Sequence, residues 1–130
     1  MLKIASAIQF TVYGVPSVYY GDEAGVEGYH DPFCRATFPW GNEDMSLSDH
    51  YEKLGKLRRE NDVFADGYFK VLKVDNGFIM FERTKGDKQI IVAANVSKNN
   101  VKCGVAGIDM LTGEPFDGVL GAESVVVIGE

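Results

Sequence analysis

The sequence predicts a mainly β protein, with an antiparallel β-sandwich of Greek-key-like connectivity over residues 62–130 behind a helical, loop-rich stretch over residues 1–61. Three observations carry that expectation. Helical periodicity is confined to the first stretch. Asp75-Asn-Gly77 separates two runs rich in β-branched and aromatic residues, which is a hairpin signal. Beyond Tyr68, roughly six to eight short apolar runs recur at regular spacing, the pattern of a sandwich or barrel.

The elements follow in order. Ile4, Ala7, Ile8 and Thr11 fall on one helical face, which Gly14 and Pro16 end. Val15–Tyr20 is apolar, β-branched and aromatic and is closed by Gly21, so it reads as a buried strand. Gly21 to Asp44 is rich in Gly, Pro, Asp and aromatics without periodicity. A loop of that length in a compact domain is usually functional or disordered, and its aromatics favour function. Ser46-Leu-Ser-Asp49 matches a capping box and predicts a helix whose stripe runs through Leu47, Tyr51, Leu54 and Leu57, with basic residues in its last turn. Strands are then expected at Tyr68–Val74, Phe78–Thr84, Lys88–Val96, Val101–Val105, Ile108–Leu111, near Val119 and at Ser124–Ile128. The Asp75–Gly77 hairpin is expected to take a type I′ turn.

Composition narrows the function. Thirteen basic and nineteen acidic residues give a net charge of −6, and no basic run is longer than Arg58-Arg59, which argues against nucleic acid as a partner. The first ten residues carry a lysine before apolar positions, but Ser6 and Gln9 break the run and no small-residue cleavage pattern follows. No stretch approaches the roughly 20 apolar residues of a membrane span. Cys34 and Cys103 lack metal or redox spacing and are expected to be free thiols, which favours a reducing, cytoplasmic setting. No cofactor is implied.

Candidate chemistry is sparse. Asp22-Glu23 would point to opposite faces of a strand end, and Glu43-Asp44 sits where a helix dipole favours acids anyway. His30 and His50 have neither metal spacing nor a nucleophile partner. Asp31-Pro-Phe-Cys-Arg35 is more informative, because a carboxylate and a guanidinium lie four residues apart in a loop bearing Tyr29, Phe33, Phe38 and Trp40. Sugars present hydroxyls at the ring edge and C–H faces above and below, so polar groups beside aromatic plates suit them. A salt bridge bracing the loop over a small aromatic cluster fits those residues equally well.

Gly14-Val-Pro-Ser-Val-Tyr-Tyr-Gly-Asp-Glu23, followed by Gly28-Tyr-His-Asp-Pro-Phe-Cys-Arg35 and Phe38-Pro-Trp40, resembles the eighth-strand region of the α-amylase family of glycoside hydrolases. The nearest likeness is to neopullulanases, cyclomaltodextrinases, maltogenic amylases and amylopullulanases. The Lys56-Leu-Arg-Arg-Glu60 helix resembles that family's eighth barrel helix. Asn95-Val-Ser97 and Asp109-Met-Leu-Thr-Gly113 resemble its C-terminal β domain.

The resemblance implies that residues 1–61 are the end of a truncated (β/α)8 barrel, with helix, eighth strand, substrate-side loop and eighth helix, and that residues 62–130 are the β-sandwich behind it. Catalysis in the family is retaining and uses Asp, Glu and Asp side chains on earlier strands, so no catalytic residue is expected here; a whole barrel needs about 250 residues. Asp31 and Arg35 match the positions that face sugar units on the non-reducing side of the cleavage point. They are the substrate-binding candidates, with an α-glucan or maltooligosaccharide as the implied partner. Tyr19 and Tyr20 are expected to be barrel packing. A strand at Val15–Tyr20 without its barrel neighbours invites pairing with a second copy of the chain. A stand-alone carbohydrate-binding or interaction module remains the alternative for the β region.

Overall fold

The computed structural model describes residues 1–129. Two helices come first, α1 (Leu2–Thr11) and α2 (Met45–Glu60), then one helical turn, α3 (Val63–Asp66). Eight strands follow: β1 (Tyr68–Asp75), β2 (Phe78–Lys85), β3 (Lys88–Asn95), β4 (Val101–Lys102), β5 (Gly107–Asp109), β6 (Pro115–Phe116), β7 (Val119–Leu120) and β8 (Ser124–Gly129). Six of them form one antiparallel sheet in the order β1-β2-β3-β8-β5-β6, and β4 pairs with β7 in a second. The chain leaves the large sheet after β3, re-enters as β5, and only later fills the gap with β8. That non-sequential insertion is the Greek-key character expected.

Side-chain alternation sorts the strands between two layers. Phe81, Ile90, Val92 and Val127 face Ala7, Phe10, Leu54, Leu57, Val63 and Phe64 of the helices. Phe78, Met80, Ala93, Val126 and Ile128 face Cys103, just after β4, and Leu120 of β7. Helices and strands therefore share one core. Each fully buried member, such as Phe64, Phe81 or Val127, contributes about 1.5–3 kcal/mol through the water it sheds.

Several local expectations need correction. Val15–Tyr20 is not a strand: it is irregular, turns at Tyr20 and pairs with no strand among the described residues. Val15, Tyr19 and Tyr20 are exposed. A parallel strand exists only through neighbours that take its amides, and none of the described strands lies beside it. Asp22–Ala24 is one 3-10 turn, not a strand end.

Helix α2 begins before the expected capping box. Asp44 is its N-cap, and its Oδ1 accepts from the Ser46 and Leu47 amides at 2.9 and 3.3 Å. A carboxylate at the positive helix end outcompetes the Ser46 hydroxyl for the orphan amides. On α1 the buried set is Ile4, Ser6, Ala7, Phe10 and Thr11, so Phe10 takes the place expected for Ile8.

The β1–β2 turn lies at Asn76-Gly77 as expected, but only Gly77 has positive φ, at 76°. Type I′ needs positive φ at both turn residues. Here the Val96 amide donates to the Gly77 carbonyl at 2.7 Å and Asp75 Oδ1 accepts from the Asn76 amide, which fixes another geometry. α3 and β6 were not expected from the sequence.

Candidate functional site

Gly21 closes the base of the long loop. Its φ is +91°, and a Cβ there would sit 2.8 Å from Val26 Cγ2, so both conformation and space require glycine. The Val26 amide returns to the Gly21 carbonyl at 2.9 Å, and the Asp44 amide to the Ala24 carbonyl at 3.0 Å. Glu23 is spent on this base. Its Oε2 accepts from the Gly21 amide at 3.1 Å, and its carbonyl accepts from Ser48 Oγ at 2.9 Å.

Two short turns then form the loop tip, with Phe33 N–H donating to the His30 carbonyl and Arg35 N–H to the Pro32 carbonyl. They bring together the two residues singled out in the sequence: Arg35 Nε lies 2.7 Å from Asp31 Oδ1, and both side chains are exposed. Cys34 Sγ lies 3.8 Å from the same oxygen. Tyr29, Phe33 and Trp40 of the same loop are exposed as well. Phe38 backs Trp40 at a ring separation of 4.6 Å, and His30 meets Phe33 edge-on at 5.7 Å. The loop thus carries an exposed polar pair and three exposed aromatic side chains. Among the described residues, no three His, Cys, Asp or Glu side chains gather to hold a metal ion, and no helix is long and apolar enough to cross a membrane.

Two arginines fix the path into this loop. Arg58 of α2 donates to the Phe10 carbonyl at 2.6 Å and also reaches the Val12 and Gly14 carbonyls. Arg83 of β2, fully buried, donates to the carbonyls of Thr11 (2.7 Å), Val63 (2.9 Å) and Gly67 (3.0 Å). Burial first, then the nearby Arg58 charge, pulls the Arg83 guanidinium below its ordinary pKa, and Asp66 partly opposes this. Positive charge at the C-terminal end of α1 is where the helix dipole favours it.

A separate concavity of about 460 Å³ lies between the first turns of α1 and α2 and the β5 and β8 ends, lined by Lys3, His50, Lys53, Asp109 and Glu123 among others. Neither Asp31 nor Arg35 borders it. His50 Nε2 is 2.9 Å from the Lys3 carbonyl; burial lowers its pKa from the ordinary value, the bond to that carbonyl opposes this, and the Lys3 and Lys53 charges add to the lowering.

No protein-family model matches the chain. Among curated proteins, an amylopullulanase of Thermoanaerobacter thermohydrosulfuricus is 36% identical across 98% of this chain and 10% of its own. A cyclomaltodextrinase of Thermoanaerobacter pseudethanolicus is 40% identical across 77% of this chain and 18% of its own. Among solved structures, the maltogenic amylase from S. marinus superposes with a TM-score of 0.88 at 28% identity, across 98% of this chain and 19% of that one. The chain is related to the C-terminal part of α-amylase-family enzymes.

The chain spans less than a fifth of each of these relatives. Its mostly antiparallel sheet with few helices resembles the matching C-terminal domain of the S. marinus maltogenic amylase. The sequence singled out Asp31 and Arg35 through the family motif. It did not single out Arg83 or the contact of Cys34 with Asp31, and it read Tyr20 as packing. Tyr20 Oη in fact donates to the Ala36 carbonyl at 2.5 Å, sixteen residues away, a pairing that no local pattern encodes.

Proposed function

We propose that this chain is the C-terminal part of a retaining glycosidase acting on α-1,4- or α-1,6-linked glucans, in which the sheet stabilises the barrel and the loop presents Asp31 and Arg35 to sugar. The chain itself performs no catalysis in this reading. One observation carries it: the Asp31–Arg35 pair is highly exposed, in the same loop as exposed Tyr29, Phe33 and Trp40, in a chain related to amylopullulanases and cyclomaltodextrinases. Exposed ion pairs contribute about 0–1 kcal/mol to stability, so a bracing role alone gives this pair little to do. In the full-length enzyme, Asp31→Ala or Arg35→Ala is expected to lower kcat/KM by about 1–3 kcal/mol of transition-state binding while Tm barely moves. A large loss of Tm with unchanged kinetics per folded molecule would establish the brace instead.

The chain alone should release no reducing sugar from starch, pullulan or cyclodextrins, because an acid and a nucleophile are both required. A stand-alone sugar-binding module would need a row of exposed aromatics on the strands, where Tyr68 is the one exposed aromatic among the described residues. Exposed Val15–Tyr20 is part of the same proposal, as a segment through which isolated copies pair. Light scattering behind size exclusion reads this directly, and a strictly monomeric mass at high concentration refutes it. A cytoplasmic setting completes the proposal and is supported by two free cysteines.

A further inference from the structure

We propose that Tyr20 is a positioning residue for the substrate-side loop, holding the Asp31–Arg35 pair in place through one phenol hydrogen bond to the carbonyl of Ala36. The inference rests on the reading of that pair as glucan-binding. Residues 27–42 contain no helix or strand. Their own hydrogen bonds are short-range: Phe33 N–H to His30, Arg35 N–H to Pro32, Trp40 N–H to Phe38, Asn42 N–H to Pro39, and Cys34 Sγ to Asp31. Among the described residues, the Tyr20 phenol makes the one hydrogen bond that ties this stretch to the rest of the chain.

The tie falls where it matters. Ala36 directly follows Arg35, so the anchored carbonyl is one peptide from the guanidinium's backbone. Tyr20 is itself well fixed. The Asp22 amide donates to the Tyr19 carbonyl at 3.1 Å, Gly21 is held in the left-handed region, and the Tyr19 ring packs on the Tyr20 ring at 5.1 Å. A rigid turn therefore aims the phenol across the loop's mouth. A loop tip resting on two small turns and one such strut loses its preferred orientation, and not its fold, when the strut is cut.

Tyr20→Phe keeps the ring and removes only the donor. In the full-length enzyme acting on maltohexaose, it is expected to raise KM by roughly 3- to 10-fold, the scale of one neutral hydrogen bond, with kcat within about twofold and Tm unchanged. Tyr19→Phe, which lacks this bond, is expected to match the wild type. In an Arg35→Ala background, Tyr20→Phe should add nothing further, because its effect passes through the pair. If Arg35→Ala leaves kcat/KM unchanged, the glucan reading fails and the role of Tyr20 falls with it. If Arg35→Ala impairs the enzyme but Tyr20→Phe matches wild type, or the two losses simply add, the glucan reading stands and the positioning role is overturned.

Discussion

Replacing Arg83 with methionine tests how the helices are locked to the sheet. The guanidinium makes three bonds of 2.7–3.0 Å, to the carbonyls of Thr11, Val63 and Gly67, and a longer one of 3.4 Å to that of Phe64. Methionine fills much of the same volume but donates nothing, so the Thr11 carbonyl, on a residue with no exposed surface, loses its partner, while the Val63 carbonyl keeps the Gly67 amide at 3.0 Å. A buried carbonyl stranded in this way costs about 1–3 kcal/mol, and each of the other bonds from the charged group is worth about 1.5–3 kcal/mol. Against this, the variant no longer keeps a charge out of water, which returns several kcal/mol. The Arg83 Nε also has no partner, so that part of the group is no loss. The loss of the three shorter bonds, less what the uncharged side chain returns, leaves a net expectation of about 2–4 kcal/mol. For a chain of this size that lowers Tm by roughly 10–20 °C. Urea unfolding followed by circular dichroism measures it, with Arg83→Lys as a milder companion because it keeps the charge but not the fork. A methionine variant within about 1 kcal/mol of wild type would refute the reasoning.

Three further outcomes are expected. The folded pKa of His50 lies below its ordinary value, so the unfolded chain binds the proton more readily. The stability this contributes is present above pH 6.5 and is lost as pH falls through the lowered value; His50→Gln should flatten the slope of urea midpoints just below pH 6.5. Gly21→Ala should cost more than about 1 kcal/mol, from positive φ and the 2.8 Å approach to Val26, read as a lower Tm. Burial pushes the Cys103 thiol up, so under native conditions iodoacetamide should modify half-buried Cys34 first, as peptide mapping would report; equal rates would contradict the packing of Cys103 against the sheet.

The parts of this fold that were legible in the sequence are those specified locally. The strands from Tyr68 to Asn95 and helix α2 were read nearly to the residue, because hairpin glycines and a helical stripe lie within a few positions of what they determine. Val15–Tyr20 was misread because its composition describes a strand with neighbours, whereas strand pairing is a property of the surroundings. Arg83 was passed over because charged residues are ordinarily exposed. Its signal was parity: it lies two positions from Phe81 and so shares the strand face that packs against the helices. Asp31 and Arg35 became candidates through a motif that spacing alone left evenly balanced, and the structure adds that they touch.

The shared core has a practical consequence for anyone wishing to graft the β region onto another protein. A cut between Asn61 and Asp62 looks natural along the sequence, yet it would strip α1 and α2 from Phe81, Val92 and Val127 and leave a wet apolar sheet face that invites aggregation. Any transplanted unit has to carry α1 and α2 along with the strands, and the loop between them rides with it.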